Sequence, residues 1–516
     1  MKLQAHRIFY FVFLAAALVP MVLSIQMTGF YQDDFSWFSH VNEIGGDFHR
    51  WVSFLSNLGV TRLVTSVIGS FLWSDWLLRH PGAGHSIIFV AHGCTAILVS
   101  ILLRQMGAGK WLIAWLSLLY YSLSVKNIVC FYLASVQYFW MTIFFLASWI
   151  FAAQHLSGGR RARFFYCLSL VFYLASALAL EQAYLVGLFF PALLFLSFDA
   201  RRRVCGGGWL KSYGPYLAHS VISLFLGLHL LTRPVSGYQQ SVKDVPILLN
   251  QWAGGLWASL AGYYAMIVTE PRLLLGAFLT GKPLYQFNYS NVGIVVWVLA
   301  ALGGAAYFSG VGCELVWDKQ SVSPNRIFTL GAGFLLLTIL PFASAVSETI
   351  RRMDRVHYLA SVGTVLVLAG FFSQGARAWI KNMAWAAICL MLVASAVSNV
   401  RTLSMWSRAW EIEQAALASI KEAVAQSPDT KLIYIRSAPS MIGPAYALSM
   451  EWGFPNYVKL ALQNPKLDII LDEKGVGALP GVDRKELLKP HVLAFRYEET
   501  SSHRPALWSL SLQERS

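Results

Sequence analysis

Long apolar stretches with almost no charged side chains limit the fold of this chain more than any other feature. The first runs from Ile8 to Met27, and others lie at about 86–104, 111–125, 133–153, 164–180, 183–198, 214–232, 291–311, 327–346, 357–375 and 382–399. A helix needs about 17–25 apolar residues to cross the hydrocarbon layer of a bilayer. The runs therefore predict an all-α polytopic membrane protein with about eleven transmembrane helices. Composition agrees: 13% of the 516 residues are charged, against about 25% in soluble domains.

Charge sets the predicted orientation. Residues 401–516 carry 14 Lys+Arg against 13 Asp+Glu, which leaves 26 basic and 13 acidic side chains to residues 1–400. The basic excess thus belongs to the membrane part, where it orients loops, and nucleic-acid binding is not expected. Lys2 and Arg7 keep the N-terminus cytoplasmic, and the short loops 105–110, 155–163, 199–213, 312–326 and 376–381 carry most of the other basic residues. The first apolar run is too long for a signal peptide and ends Ser-Ile-Gln-Met rather than in small residues, so it is read as an uncleaved span. The uncharged run Val245–Val268 contains Asn250, Gln251 and paired glycines. It is read as an outer-surface or re-entrant helix. If it crossed the membrane, everything after it would change sides, and charge counting does not decide between the two. The six cysteines are scattered singly and read as packing residues.

Composition changes near residue 400. Leu403, Trp406, Trp410, Ala416, Leu417, Ile420 and Val424 recur at helical spacing. Segments 431–435, 467–471, 491–497 and 506–512 read as short strands between Pro and Gly turns. The expected organisation is a transmembrane domain over 1–400 and a small α/β domain over 401–516 on the outer face. No internal repeat is visible.

The first outer loop reads Gly29-Phe-Tyr-Gln-Asp33-Asp34-Phe-Ser-Trp37. Aromatic residues at the bilayer edge are ordinary; adjacent carboxylates there are not. Mutual repulsion and apolar surroundings suit one of them to general-base work, although a solvated loop or helix N-cap would also use such a pair. Glu181 lies between two apolar runs, where an ionisable group is expensive enough to suggest function.

An N-terminal span followed at once by an aromatic-flanked acidic pair resembles the GT-C glycosyltransferases. Within them it is most similar to the protein O-mannosyltransferases and the lipid A aminoarabinose transferases. Thr61-Arg62-Leu63 stands where many relatives have Arg-Pro. His85 and His92 stand where relatives often place a histidine at the second span. Leu180-Glu181-Gln182, with Pro191 beyond, resembles the family's acidic turn between two middle spans, and Arg355-Val-His357-Tyr358 resembles its late Arg-Tyr segment. The chain departs from the pattern in carrying Asp-Asp for the common Asp-Glu, Leu63 for proline and His357 for the arginine before Tyr358.

The resemblance implies an inverting transfer of a hexosyl or pentosyl unit from a polyprenyl-phosphate donor to a hydroxyl of a glycan, lipid or protein. Asp33 would be the general base, with Asp34 beside it. Arg62, Arg352, Arg355 and His357 would bind the donor phosphate, and Glu181, His85, His92 and Tyr358 the substrates. No cofactor is required; the carboxylates and imidazoles are compatible with a divalent metal ion, but no ligand spacing demands one. The family setting implies a bacterial inner (cytoplasmic) membrane with the active site facing the periplasm or exterior. The competing reading is a polytopic transporter or flippase of lipid-linked glycans, which would commonly carry an internal repeat.

Overall fold

The structure is a computed structural model. It describes residues 2–31, 34–35, 37–39, 47, 49–50, 53, 63–123, 127–198, 212–232, 322–340, 357–372, 378–442, 445–448, 453–472, 489, 491–499 and 505–509. The expected span 291–311, the run Val245–Val268, and the residues Asp33, Arg62, Arg352 and Arg355 lie outside these.

The described part is largely helical. Helix α1 is Lys2–Met27, α2 Leu63–Leu72, α3 Asp75–Arg79, α4 Pro81–Gln105, α5 Lys110–Ser122 and α6 Asn127–Phe131. A 3-10 turn, Leu133–Ser135, leads into α7, Val136–Leu156, and α8 is Ala162–Ala177. The expected span over 183–198 is instead two short helices, α9 (Gln182–Leu188) and α10 (Phe190–Ser197). The break falls at Phe189, immediately before a helix with Pro191 in its first turn. Proline has no N–H to give and clashes with the preceding turn, so it starts a helix more readily than it continues one. Helices α11 (Leu217–Thr232), α12 (Pro324–Ile339) and α13 (His357–Phe371) follow.

Among the described residues, four helical segments are long and apolar enough to cross a membrane: Tyr10–Met27, Pro81–Gln105, Leu133–Leu156 and Trp379–Gln426. Shorter apolar helices cover Ala162–Ala177, Gly214–Leu230, Asn325–Ile339 and His357–Phe371. Helices α12 and α13 approach so closely that a methyl on Gly363 would meet the backbone nitrogen of Leu335 at 2.8 Å. Without a hydrophobic driving force between helices in lipid, such close backbone contact is what holds them together.

Helix α14, Ala378–Gln426, is one unbroken helix of 49 residues. The expected apolar span and the expected amphipathic helix are its two halves. No Gly or Pro occurs between 378 and 426, so nothing in the chain stops helix propagation at the change of composition. At 1.5 Å per residue it is roughly 70 Å long, more than twice the hydrocarbon thickness. The uncharged run 382–400, bounded by Lys381 and Arg401, is the part that matches a bilayer. Residues from Arg401 onward project beyond it.

Strand β1 is Leu432–Arg436, β2 Met441–Ile442, β3 Ala445–Tyr446, helix α15 Phe454–Leu462, β4 Asp468–Asp472, β5 Val492–Glu499 and β6 Pro505–Ser509. The main sheet has the order β4-β1-β5-β6, with β1 parallel to β4 and β5, and β5 antiparallel to β6. Side chains alternate across it. Ile433, Ile435 and Phe495 join the main core with Phe454 and Val458 of α15, while Leu432, Tyr434, Val492 and Ala494 form a small second cluster. Helix α14 packs on both α1 and β6, so it joins the membrane body to the sheet.

Candidate functional site

The site begins where α1 stops. Thr28 Oγ1 donates to Ser24 O at 2.6 Å, satisfying a terminal carbonyl of the helix. The chain leaves helical geometry at Gly29, Phe30 and Tyr31, and Asp34 is again helical. Asp34 has no exposure to solvent. Its Oδ2 accepts the backbone N–H of Tyr31 at 3.0 Å, and its Oδ1 accepts the backbone N–H of Ala134 at 2.6 Å. One carboxylate therefore pins the loop after α1 both to itself and to the turn that begins α7. Such charge-assisted bonds to buried amides are among the stronger ones a protein makes.

Aromatic rings from the far end of the chain surround this anchor. The Tyr31 ring lies edge-on to Trp406 at 4.4 Å, and its hydroxyl donates to Trp406 O at 2.7 Å. Phe35 stacks on Tyr457 of α15 at 4.3 Å, and Tyr457 stacks on Trp410 at 5.9 Å. His85 of α4 is buried and its Nε2 bonds the carbonyl of Gly29 at 2.8 Å. Because a carbonyl only accepts, Nε2 carries the proton. The loop is thus held by α4, the α7 turn, α14 and α15 together. Any side chain on Gly29 would run into the indole of Trp410. Gly29→Ala is accordingly expected to destabilise the protein by about 1–3 kcal/mol, the usual range for overpacking, readable as a lower unfolding midpoint in detergent.

Within electrostatic range of Asp34 is a carboxylate that the sequence alone did not single out. Glu413 is completely buried, and neither of its carboxyl oxygens has a hydrogen-bond partner. It lies 13 residues past the uncharged run of α14, about 20 Å along the helix axis and so outside the spanning part. Burial raises its pKa well above the ordinary glutamate value, and the charge of Asp34 adds to the rise. Tyr457 is pushed up to about 12, chiefly by burial, with Glu413 contributing and its bond from Gln414 opposing. Gln414 Nε2 donates to Tyr457 Oη at 2.7 Å. A signal for Glu413 did exist. Trp406, Ala409, Ala416, Leu417 and Ile420 are buried on one face, and residue 413 falls on that stripe at helical spacing.

The other candidates separate into two places. His92 and Tyr358 meet deep in the helical body: His92 Nδ1 lies 2.7 Å from Tyr358 Oη, and His92 Nε2 lies 2.8 Å from Tyr121 O. Thr95 Oγ1 is 2.7 Å from the same tyrosine oxygen. Both nitrogens of His92 are engaged, so this is a closed knot linking α4, α5 and α13. It lies on α4 two turns below His85, about 10 Å along the axis. His357 opens α13 and is buried beside it in sequence. Glu181 caps the start of α9 without a side-chain cap bond and is partly exposed. Its neighbour Gln182 donates to Thr338 O of α12 at 2.9 Å, and Thr65 Oγ1 of α2 donates to Ala179 O at 2.7 Å. The turn carrying Glu181 therefore joins α2, α8, α9 and α12.

Among the described residues, no group of three or more His, Cys, Asp or Glu side chains is placed to hold a metal ion. The arrangement is a buried acidic pair, Asp34 with Glu413, among tyrosine and tryptophan rings at the C-terminal end of the first helix.

No protein-family model matches the chain, and no curated protein matches it. Among solved structures, the crystal structure of ArnT from Cupriavidus metallidurans in the apo state aligns with 95% of this chain and 93% of that one, at 12% identity and a TM-score of 0.31. So loose a superposition establishes no residue correspondence.

Proposed function

We propose that this chain is a membrane glycosyltransferase of the GT-C type that moves a sugar from a polyprenyl-phosphate donor to an acceptor hydroxyl at the extracytoplasmic face. The observation that carries the reading is the anchored acidic loop: Asp34, buried and bound by two backbone amides, fixes the chain directly beside Asp33. Supporting it is the sequence resemblance around that loop, the Glu181 turn and the Arg355–Tyr358 segment.

On this reading the two carboxylates divide the work. Asp33 removes the proton from the acceptor hydroxyl as it attacks the anomeric carbon, and a single displacement inverts the configuration there. Asp34 holds the loop. As the glycosidic bond breaks, negative charge develops on the lipid phosphate, where Arg62, Arg352 and Arg355 supply bidentate donors and His357 a further one. Glu181, partly exposed at its turn, is the substrate-side carboxylate. His85, His92 and Tyr358 act from behind, by holding the loop and the helices that frame it. The membrane setting agrees with a lipid-linked donor, and a bacterial inner membrane is the matching location.

The test is transfer by the purified protein in lipid vesicles supplied with synthetic short-chain polyprenyl-phosphate sugars and a hydroxyl acceptor. The expected result is a new glycosidic bond of inverted anomeric configuration, read by NMR. Passage of the lipid-linked glycan across the bilayer with no glycosidic product would overturn the reading in favour of a flippase.

A further inference from the structure

Among the described residues, Glu413 is a buried titratable group that the proposed reaction does not use. Both its oxygens are without hydrogen-bond partners and it has no exposure to solvent. A carboxyl so placed is costly, and sites that keep one have a use for it. Its surroundings define that use. It lies on the face of α14 whose Trp406 and Trp410 pack on Tyr31, within electrostatic range of Asp34 and Tyr31 of the loop after α1 and of Tyr457 of α15. From α4, His85 reaches the same loop through the Gly29 carbonyl. On its own helix the charged neighbours, Arg408 and Glu411, pair with each other at 3.0 Å, with Glu411 exposed. No cation therefore stands opposite Glu413 among these groups, whereas a second carboxylate does.

Two ionised carboxylates cannot share a dry aromatic site without a counter-charge. Asp34 accepts two backbone N–H bonds, so the proton belongs on Glu413. While it is there, the stripe of α14 lies flat against the loop, with Trp406 and Trp410 against Tyr31. Removing it places like charges face to face across the junction between the loop and the C-terminal unit.

We propose that Glu413 is a positioning residue: while its carboxyl is neutral the acidic loop stays latched on α14 by the surrounding aromatic packing, and its ionisation releases that loop. The sheet domain beyond α14 is then part of the support of the candidate active site rather than an appendage. The catalytic consequence rests on the glycosyltransferase reading; the latch itself does not. The sign follows from linkage. The closed state holds the proton more tightly than the open one, so the latch is fully closed below the ordinary glutamate value. It weakens as pH rises toward the raised value and levels off beyond it.

The experiment is hydrogen exchange on the full-length protein in detergent. It follows peptides containing Tyr31 and Ala134, whose amides donate to Asp34. Measurements run from about pH 5 to about pH 9, the range in which buried glutamates titrate. With intrinsic exchange rates removed, protection of both peptides in the wild type should fall about tenfold per pH unit within the transition. Glu413→Gln, neutral at every pH, should keep its protection flat, and Glu411→Gln should behave as wild type. Flat protection in the wild type, or the same alkaline loss in Glu413→Gln, would overturn the proposal. Where transfer is measurable, its alkaline limb should move to higher pH in Glu413→Gln. Absence of transfer from every variant would count against the glycosyltransferase reading, while the exchange result would still judge the latch.

Discussion

Asp33→Asn is expected to lower glycosyl transfer by about 10²–10⁴-fold, the usual contribution of a positioned general base, with no change in the unfolding midpoint. The amide is nearly the same size as the carboxylate but takes no proton at neutral pH, so the acceptor hydroxyl would have to attack without losing its hydrogen. The substitution leaves Asp34 and its two bonds to backbone amides unchanged, which is why folding should be spared. The clean measurement is single-turnover transfer from a polyprenyl-phosphate sugar, beside thermal unfolding in detergent. Full transfer by this variant would remove Asp33 from the role of base.

Asp34→Ala should do the opposite and act first on stability. The amides of Tyr31 and Ala134 both donate to the carboxylate that is removed, in a site closed to solvent. Each buried donor left without an acceptor costs about 1–3 kcal/mol. The expected loss is therefore about 2–6 kcal/mol, less whatever Glu413 gains from the disappearance of its repulsive neighbour. Asp34→Asn retains one carbonyl oxygen and should lose about half as much. Falling transfer in Asp34→Ala would then accompany a lower unfolding midpoint, whereas in Asp33→Asn it would not. An unchanged midpoint in Asp34→Ala would show that the two amides do not depend on this residue.

Much of the molecule was legible in its amino acids. Apolar runs located α1, α4, α7 and α13, because a helix in lipid must satisfy its own backbone and show apolar side chains all round. Short segments between Pro and Gly turns located the four main strands of the sheet to within a few residues. Aromatic flanks and adjacency drew attention to Asp33 and Asp34 at the end of the first span. Two expectations were altered by backbone chemistry. The run 183–198 divides at Phe189 because Pro191 favours a fresh start, and α14 passes through residue 400 because composition alone does not stop a helix.

The sequence by itself thus determined the solvent of the chain, most of its helices, its strands and the loop worth examining. Those features depend on neighbours along the chain: hydropathy over one window, or spacing on one face. Only the tertiary structure decided the partners. Glu413 read as one more charge on an amphipathic helix until α14 was seen against the loop after α1, within electrostatic range of Asp34. His92 and Tyr358 looked like separate site residues until they closed on each other at 2.7 Å. The physical reason is the same in both cases. Burial, and the cost of an unpaired charge, are set by what packs opposite a residue, and those groups come from distant parts of the chain.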